Sequence, residues 1–370
     1  MRKGEPSEAL AKEGPASAGF ADEAVGATVL AEAPKRGKRM APDQEVFRGK
    51  KVLVTGGLGF IGSNLSAKLI ELGAKVTIVD NMMPRLGGNL FNEKEIADRI
   101  HINFSDVRDA HSMDYLVKGQ EIIFHLAGQV NHVDSNRNPI QDLDINCRGT
   151  LVLLESCRKY NREVKIVFAG TRGEYGSSVT LPVGEDHPTN PKGIYAVTNL
   201  TAEKMVLVYH DVHKITGTCL RITNTYGPRH QMAHDEYGVL NWFIRKAIDD
   251  EVIPVFGDGR ILRDFLYVDD LVNCFLQVAP CDQTYGEVFN VGTGIPISFI
   301  DLAKKIVKIA GTGKAAFTEF TQERKEVEPG DYYTNISKIK HRVGWEPKAD
   351  LEEGLRRTIE FYRKYKKEYW

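Results

Sequence analysis

KVLVTGGLGFIG, Lys51–Gly62, is the stretch on which the fold of this chain turns. Val52 to Thr55 are apolar or β-branched, as in a buried parallel strand, and glycines follow at once, before a helical pattern that begins near Phe60. Gly56, Gly59 and Gly62 let the chain reverse, bring its backbone against a pyrophosphate and seat the new helix on the strand. The first helical turn, Phe60, Ile61 and Gly62, then points unpaired N–H groups and the positive end of the helix dipole at the phosphates. Asp80 closes a second strand, Lys75 to Val79, at about the 20-residue separation expected of a carboxylate that accepts ribose hydroxyls, with Asn81 beside it. A carboxylate there repels a 2′-phosphate, so the pattern predicts NAD rather than NADP. Glycine turns occur in any α/β protein; strand, turn, helix, strand and acid in this order carry the expectation.

The alternation continues downstream. Arg99–Asn103, Glu121–His125, Val164–Ala169 and Thr218–Ile222 read as short buried strands, separated by helical stretches such as Ile140–Tyr160. Repeated βα units predict an α/β fold, a doubly wound parallel sheet of the Rossmann type, with a smaller carboxyl-terminal lobe. The expected division is a disordered tail over residues 1–46, a dinucleotide domain over 47–222 with a return near 264–290, and a substrate lobe from 223–263 and 291–370. In such sheets the loops after the strands line the ligand crevice. That places Asp106 and Val107 after the third strand, and Leu126, Ala127, Gly128 and Gln129 after the fourth, at the cofactor.

With 370 residues the chain can bury a sizeable core, and a formal charge of −1 gives no case for nucleic acid as a partner. Its five cysteines, Cys147, Cys157, Cys219, Cys274 and Cys281, lack ligand spacing and read as small buried residues in a reducing cytoplasm. The histidines lack the spacing of a zinc site, so no metal is expected. No apolar run approaches the ~20 residues that cross a bilayer. The first residues, rich in Ala, Gly, Glu, Lys and Pro, cannot offset their own chain entropy, and they lack the long apolar core of a secretory signal. Met40 stands within them as an alternative start.

Two segments carry chemistry: FAGTRGEYG, Phe168–Gly176, after the fifth strand, and YAVTNLTAE, Tyr195–Glu203, opening a long helix. A phenol at a helix start, facing a hydroxyl at a strand end, can move a proton to and from a substrate hydroxyl. Tyr195 is the expected acid/base and Thr171 the hydroxyl that holds the substrate oxygen.

With those segments in view, residues 50–370 resemble the extended short-chain dehydrogenase/reductase family, in its nucleotide-sugar epimerase/dehydratase branch. GGLGFIG (Gly56–Gly62), HLAGQVNHVDS (His125–Ser135), the N-x-x-G-T of Asn146–Thr150, RITNTYGP (Arg221–Pro228), RDFLYVDD (Arg263–Asp270) and GWEP (Gly344–Pro347) are similar to its motifs and stand in its order. The resemblance implies that Asn146 and Thr223 serve the cofactor, that Ser135 and Asn224 face the sugar, and that Arg263 clamps a substrate diphosphate. It also implies a homodimer through the helices beginning near Ile140 and Tyr195. Arg172, beside Thr171, is read as entering the sugar pocket, where it would favour an acidic sugar such as a hexuronate. Arg172 has a plain alternative as a surface charge.

Three departures matter. Asn199 stands four residues after the tyrosine, where the family has a lysine that holds the nicotinamide ribose and lowers the phenol's pKa. Asparagine can hydrogen-bond to the ribose but brings no charge, and each uncorrected pKa unit is worth ~1.4 kcal/mol. The family's dehydratases place an acidic pair directly after the threonine, whereas this chain has Arg172 and Gly173; Glu174 comes one step later, where strand alternation would turn it away. Glu328 occupies the place of an arginine that often holds the second phosphate. What remains predicts an NAD-dependent nucleotide-sugar epimerase acting at C4 of a UDP-hexose or hexuronate. The alternatives are a dehydratase, decarboxylase or reductase of the same family, and a cofactor-binding protein without turnover.

Overall fold

The expected strand at Val52–Thr55 runs Lys51–Thr55 (β1), with Val52, Leu53 and Val54 fully buried on both faces of a sheet. The computed structural model describes residues 44–370 except 323, 324, 326 and 327. Next come β2 (Lys75–Val79), β3 (His101–Asn103), β4 (Ile122–His125), β5 (Lys165–Thr171), β6 (Thr216–Ile222), β7 (Asn224–Tyr226), β8 (Val252–Phe256), β9 (Leu262–Tyr267), β10 (Val288–Val291), β11 (Pro296–Ser298) and β12 (Lys314–Thr318). Seven of them form one parallel sheet in the order β3-β2-β1-β4-β5-β6-β10. The chain builds outward from β1 to β3, then crosses over to add β4 on the other side. A crevice therefore opens at the carboxyl ends of β1 and β4, the switch point at which such sheets bind ligands.

The smaller part is built from β9 paired with β7 and β11, and from the β8–β12 pair. Between them the helix Val268–Val278 and β10 rejoin the large sheet; Phe275 of that helix meets Phe124 of β4, ring centroids 5.8 Å apart. Asp264–Tyr267, expected to open this return, belong instead to β9 of the small sheet. One apolar cluster runs from Val52 and Val54 through Phe275 to Ile306 and Ile359, so both expected lobes share a core.

Two local expectations change. The helical stretch Ile140–Tyr160 is three pieces, Pro139–Leu143, a π-helical turn Asp144–Arg148 and Gly149–Tyr160. Gln44–Phe47 is a helical turn whose Phe47 is fully buried, so the end of the expected tail is folded. Residues 1–43 of that tail lie outside the described residues. The five cysteines are free, four of them buried. Among the described residues no helix is long and apolar enough to cross a membrane, and no group of three or more His, Cys, Asp or Glu could hold a metal.

Candidate active site

A cavity of about 510 Å³ occupies the crevice. Gly56, Gly59, Phe60, Ile61 and Gly62 form its floor at the end of β1. Gly56 has φ +68°, and a Cβ on it would lie 2.9 Å from the Ala127 backbone; one on Gly62 would lie 2.3 Å from the Gly56 carbonyl oxygen. No side chain could be added at either place without moving backbone. The helix Phe60–Glu71 starts at Gly59 with no side-chain cap, leaving its first N–H groups to the cavity. Asp80 lines the same end; Leu58 N–H donates to its Oδ2 at 3.1 Å and Met82 N–H to its Oδ1 at 2.9 Å. Burial raises the Asp80 carboxyl above its ordinary pKa, and those two donors pull it back. Asn81 donates to Asp106 at 2.8 Å, and Asp106, held low at about 2 chiefly by its bonds from Arg108, lines the cavity with Val107.

The β4 loop closes the other side. Leu126, Ala127 and Gly128 line the cavity, positioned by Thr55, whose hydroxyl accepts from the N–H groups of Leu126 and Ala127 at 3.2 Å each. Gln129 and Asn146 do not line it. They stand behind the loop: Gln129 N–H donates to the Asn146 Oδ1 at 2.8 Å, and the Asn146 amide donates to the Thr198 hydroxyl at 3.1 Å. Asn146 sits in the π-helical turn, so the extra residue of that turn is what presents its amide to this loop.

Tyr195 and Thr171 meet on the cavity wall. The helix Ile194–His213 begins after Gly193, and its first turn is pinned by the preceding segment: Tyr195 N–H donates to the Ser135 hydroxyl at 3.1 Å and Ile194 N–H to Asn136 Oδ1 at 3.0 Å. Ser135 is fully buried and does not line the cavity; it aims Tyr195 instead. The Tyr195 ring packs on His132, centroids 4.4 Å apart. Burial pushes the Tyr195 phenol up to about 12, against a hydrogen bond with Thr171 and the charge of Arg172. His132 is pushed down to about 4 by burial and by Arg172, so it is neutral.

Arg172, Asn224, Thr223 and Arg263 line the cavity as well. Arg172 is no surface charge: it donates through Nε to Asn224 Oδ1 at 2.8 Å and lies over the Tyr332 ring at 5.1 Å. Burial and the like charge of Arg263 push it down to about 10. Asn199 is buried outside the cavity lining, with its amide donating to the Tyr195 carbonyl at 2.8 Å. Of the two lysines near Tyr195 in sequence, Lys192 lines the cavity, whereas Lys204 pairs with Glu203 at 2.8 Å. Glu174 does face away from the cavity, but strand alternation is not the cause. β5 ends at Thr171, and Glu174 closes a capping box with it, accepting from Thr171 N–H at 2.9 Å. Its other oxygen joins Arg221, which also pairs with Glu203.

The family model described as GDP-mannose 4,6 dehydratase matches residues 53–358. The chain belongs to that family of nucleotide-sugar epimerases and dehydratases. Among its relatives, UDP-glucose 4-epimerase of Mycolicibacterium smegmatis is 32% identical over 318 residues, 85% of this chain and 98% of the relative. UDP-glucuronic acid decarboxylase 1 of Xenopus tropicalis is 33% identical over 321 residues, 85% of this chain and 72% of the relative. Two solved structures share the fold. UDP-glucose 4-epimerase of Thermotoga maritima with UDP-glucose has a TM-score of 0.78 at 34% identity. The UDP-glucose 4-epimerase complex with NAD from Thermus thermophilus has 0.76 at 27%. Each alignment covers 85% of this chain and 99% of the other.

Proposed function

We propose that this family member is an NAD-dependent nucleotide-sugar epimerase that inverts C4 of a UDP-hexose or hexuronate. One observation carries the choice over dehydration: the only carboxylate near Thr171 in sequence, Glu174, is spent inside the protein on Thr171 N–H and Arg221. Tyr195 and Thr171 are left as the groups that handle the proton at the sugar.

The residues present fit a bound dinucleotide. The side-chain-free backbone at Gly56 and Gly62 and the uncapped helix start accept a pyrophosphate, and Asp80 accepts ribose hydroxyls. When bound, NAD supplies reversible hydride acceptance at the sugar's C4. Tyr195 takes the proton of the C4 hydroxyl, Thr171 steadies that oxygen, and Tyr195 returns the proton once the 4-keto sugar has turned its other face. Arg172 offers a positive, partly buried guanidinium at the sugar end, which suits a hexuronate carboxylate.

The test is a panel of UDP-, GDP- and dTDP-sugars, with products read by NMR and mass. The expected product is a C4 epimer of unchanged mass. Loss of water or carbon dioxide selects the dehydratase or decarboxylase alternative. In the same panel Arg172→Ala is expected to lower kcat/KM for UDP-glucuronate about tenfold more than for UDP-glucose, a charged hydrogen bond being worth ~1.5–3 kcal/mol. An unchanged ratio removes the hexuronate preference.

The exposed apolar side chains of Leu143, Leu151, Val197, Val208 and Val212 lie on helices of the same region, and we place a homodimer contact there. Light scattering should give the mass of two chains, and Val208→Glu with Val212→Glu the mass of one; a natural protein of one-chain mass removes the dimer. Unpaired, mostly buried cysteines suit a reducing compartment such as the cytoplasm.

A further inference from the structure

Arg263, at the start of β9, is 2% exposed, and its guanidinium lies 5.5 Å from the Phe299 ring centroid. Its Nη1 donates to the carbonyl oxygens of Leu262 and Gly330 at 2.9 and 2.5 Å, and its Nη2 pairs with the carboxylate of Glu328. Both Arg263 and Glu328 line the cavity. They stand beside an aromatic end formed by Phe243, Phe256, Phe299 and Phe320, where Phe243 and Phe265 each meet Phe299 with centroids 6.3 and 6.2 Å apart. A ligand that reaches from those rings toward Tyr195 passes a cation that the chain has already neutralised with an acid of its own.

That acid lies at the edge of the site, partly open to water. From Asp331 onward the segment is fastened to β9 and to the loop after β5: Leu262 N–H donates to Asp331 Oδ1 at 2.9 Å, Tyr332 N–H to the Leu262 carbonyl at 3.1 Å, and the Ser178 hydroxyl to the Asp331 carbonyl at 2.8 Å. Glu328 precedes this anchorage, its side chain is 24% exposed, and among the described residues Gly330 N–H is its one backbone donor, at 3.1 Å. Rotation of one side chain carries the carboxylate into water while Arg263 stays in place.

We propose that Glu328 is an internal competitor, whose carboxylate holds on Arg263 the seat that a substrate phosphate takes and must be displaced whenever a nucleoside diphosphate group binds. This rests on the nucleotide-sugar reading of the cavity. A buried guanidinium without a partner is costly, so in the absence of ligand the site needs an anion of its own. Binding is then an exchange of one anion for another rather than the filling of a vacant cation. The diphosphate contributes less than it would at an unpaired arginine, and selection shifts toward ligands that also engage the sugar end. The site thereby discriminates against free nucleoside diphosphates.

Calorimetry on the NAD-loaded protein tests this without turnover, with UDP, GDP and dTDP and their nucleosides as probes, comparing the natural chain with Glu328→Gln. The amide keeps the shape and removes the competing charge. Glu328→Gln should bind the preferred diphosphate about tenfold more tightly, with nucleoside and NAD affinities unchanged. Equal or weaker diphosphate binding in the variant overturns the proposal, and so does a gain shared by the nucleosides. If neither protein binds any diphosphate the proposal also falls, while turnover of a nucleotide sugar by the natural chain would keep the functional reading. A diphosphate-specific gain with no turnover of any sugar would do the reverse.

Discussion

With Tyr195 as the proposed acid/base, Tyr195→Phe is expected to lower kcat by about 10²–10⁴-fold, the usual worth of such a group, and to leave binding of NAD and nucleotide unchanged. The substitution removes one oxygen and keeps the ring that packs on His132 at 4.4 Å. It also keeps the backbone bond from position 195 to the Ser135 hydroxyl, so the helix start and the cavity wall persist. The natural enzyme should show a matching pH signature. Burial pushes the phenol up to about 12, and neither neutral His132 nor Asn199, whose amide is turned to the Tyr195 carbonyl, brings a positive charge. Only the Thr171 hydroxyl and the Arg172 charge oppose the shift. The reactive phenolate is therefore scarce at neutral pH, and kcat should rise close to tenfold per pH unit through the alkaline range while the protein stays folded. The phenylalanine variant should lose that slope with its activity. A variant as active as the natural chain, or one with the same pH slope, would remove Tyr195 from the chemistry.

What the sequence made legible follows from how far apart the interacting groups lie. The glycine turn could be read because strand, backbone constraint and acid fall within one βα unit, and Gly56 and Gly62 are glycine for contacts that only backbone makes. Thr171 and Tyr195 were legible as residue types set at the end of a strand and the start of a helix. Other features join residues distant along the chain. Glu174 and Arg221 are 47 positions apart and Arg263 and Glu328 are 65 apart, and no periodicity in either segment announces the pairing. Asn199 was noticed as a missing charge, but its orientation depends on a choice between a backbone carbonyl and the cavity that sequence does not express. The π-helical turn at Asp144–Arg148 escaped because an inserted residue leaves the apolar spacing of a helix almost intact.

Arg221→Leu destabilises the protein by about 3–5 kcal/mol, the cost of removing one partner from a buried ionic set. Arg221 is 3% exposed on β6; its Nε donates to Glu174 at 3.0 Å and to Glu203 at 2.8 Å, its Nη2 to Glu203 at 2.8 Å, and its guanidinium lies 4.7 Å from the Tyr175 ring centroid. Leucine leaves two carboxylates side by side, with Glu174 stripped of its cation and Glu203 left only the half-exposed Lys204 at 2.8 Å. Burial and the charge of Glu203 already push Glu174 well above the usual carboxylate range, with Arg221 pulling against them. Burial also acts to raise Glu203, and there the bonds from Arg221, with those of Glu174 and Lys204, outweigh it. Once the arginine is gone Glu174 resists ionisation beside a Glu203 held only by Lys204, and the folded state must take up a proton or pay for buried charge. The damage should reach the candidate active site, because Glu174 also accepts from Thr171 N–H at 2.9 Å and so helps set where the Thr171 hydroxyl stands. Urea unfolding measures the first effect and kcat the second. Replacing all three ionic groups together, Arg221→Leu with Glu174→Gln and Glu203→Gln, should recover much of the lost stability, since no uncompensated charge then remains, but not the activity if Thr171 is displaced. A single-variant loss under about 1 kcal/mol, the range of exposed pairs, would mean that water reaches the triad and that Thr171 is held by other contacts.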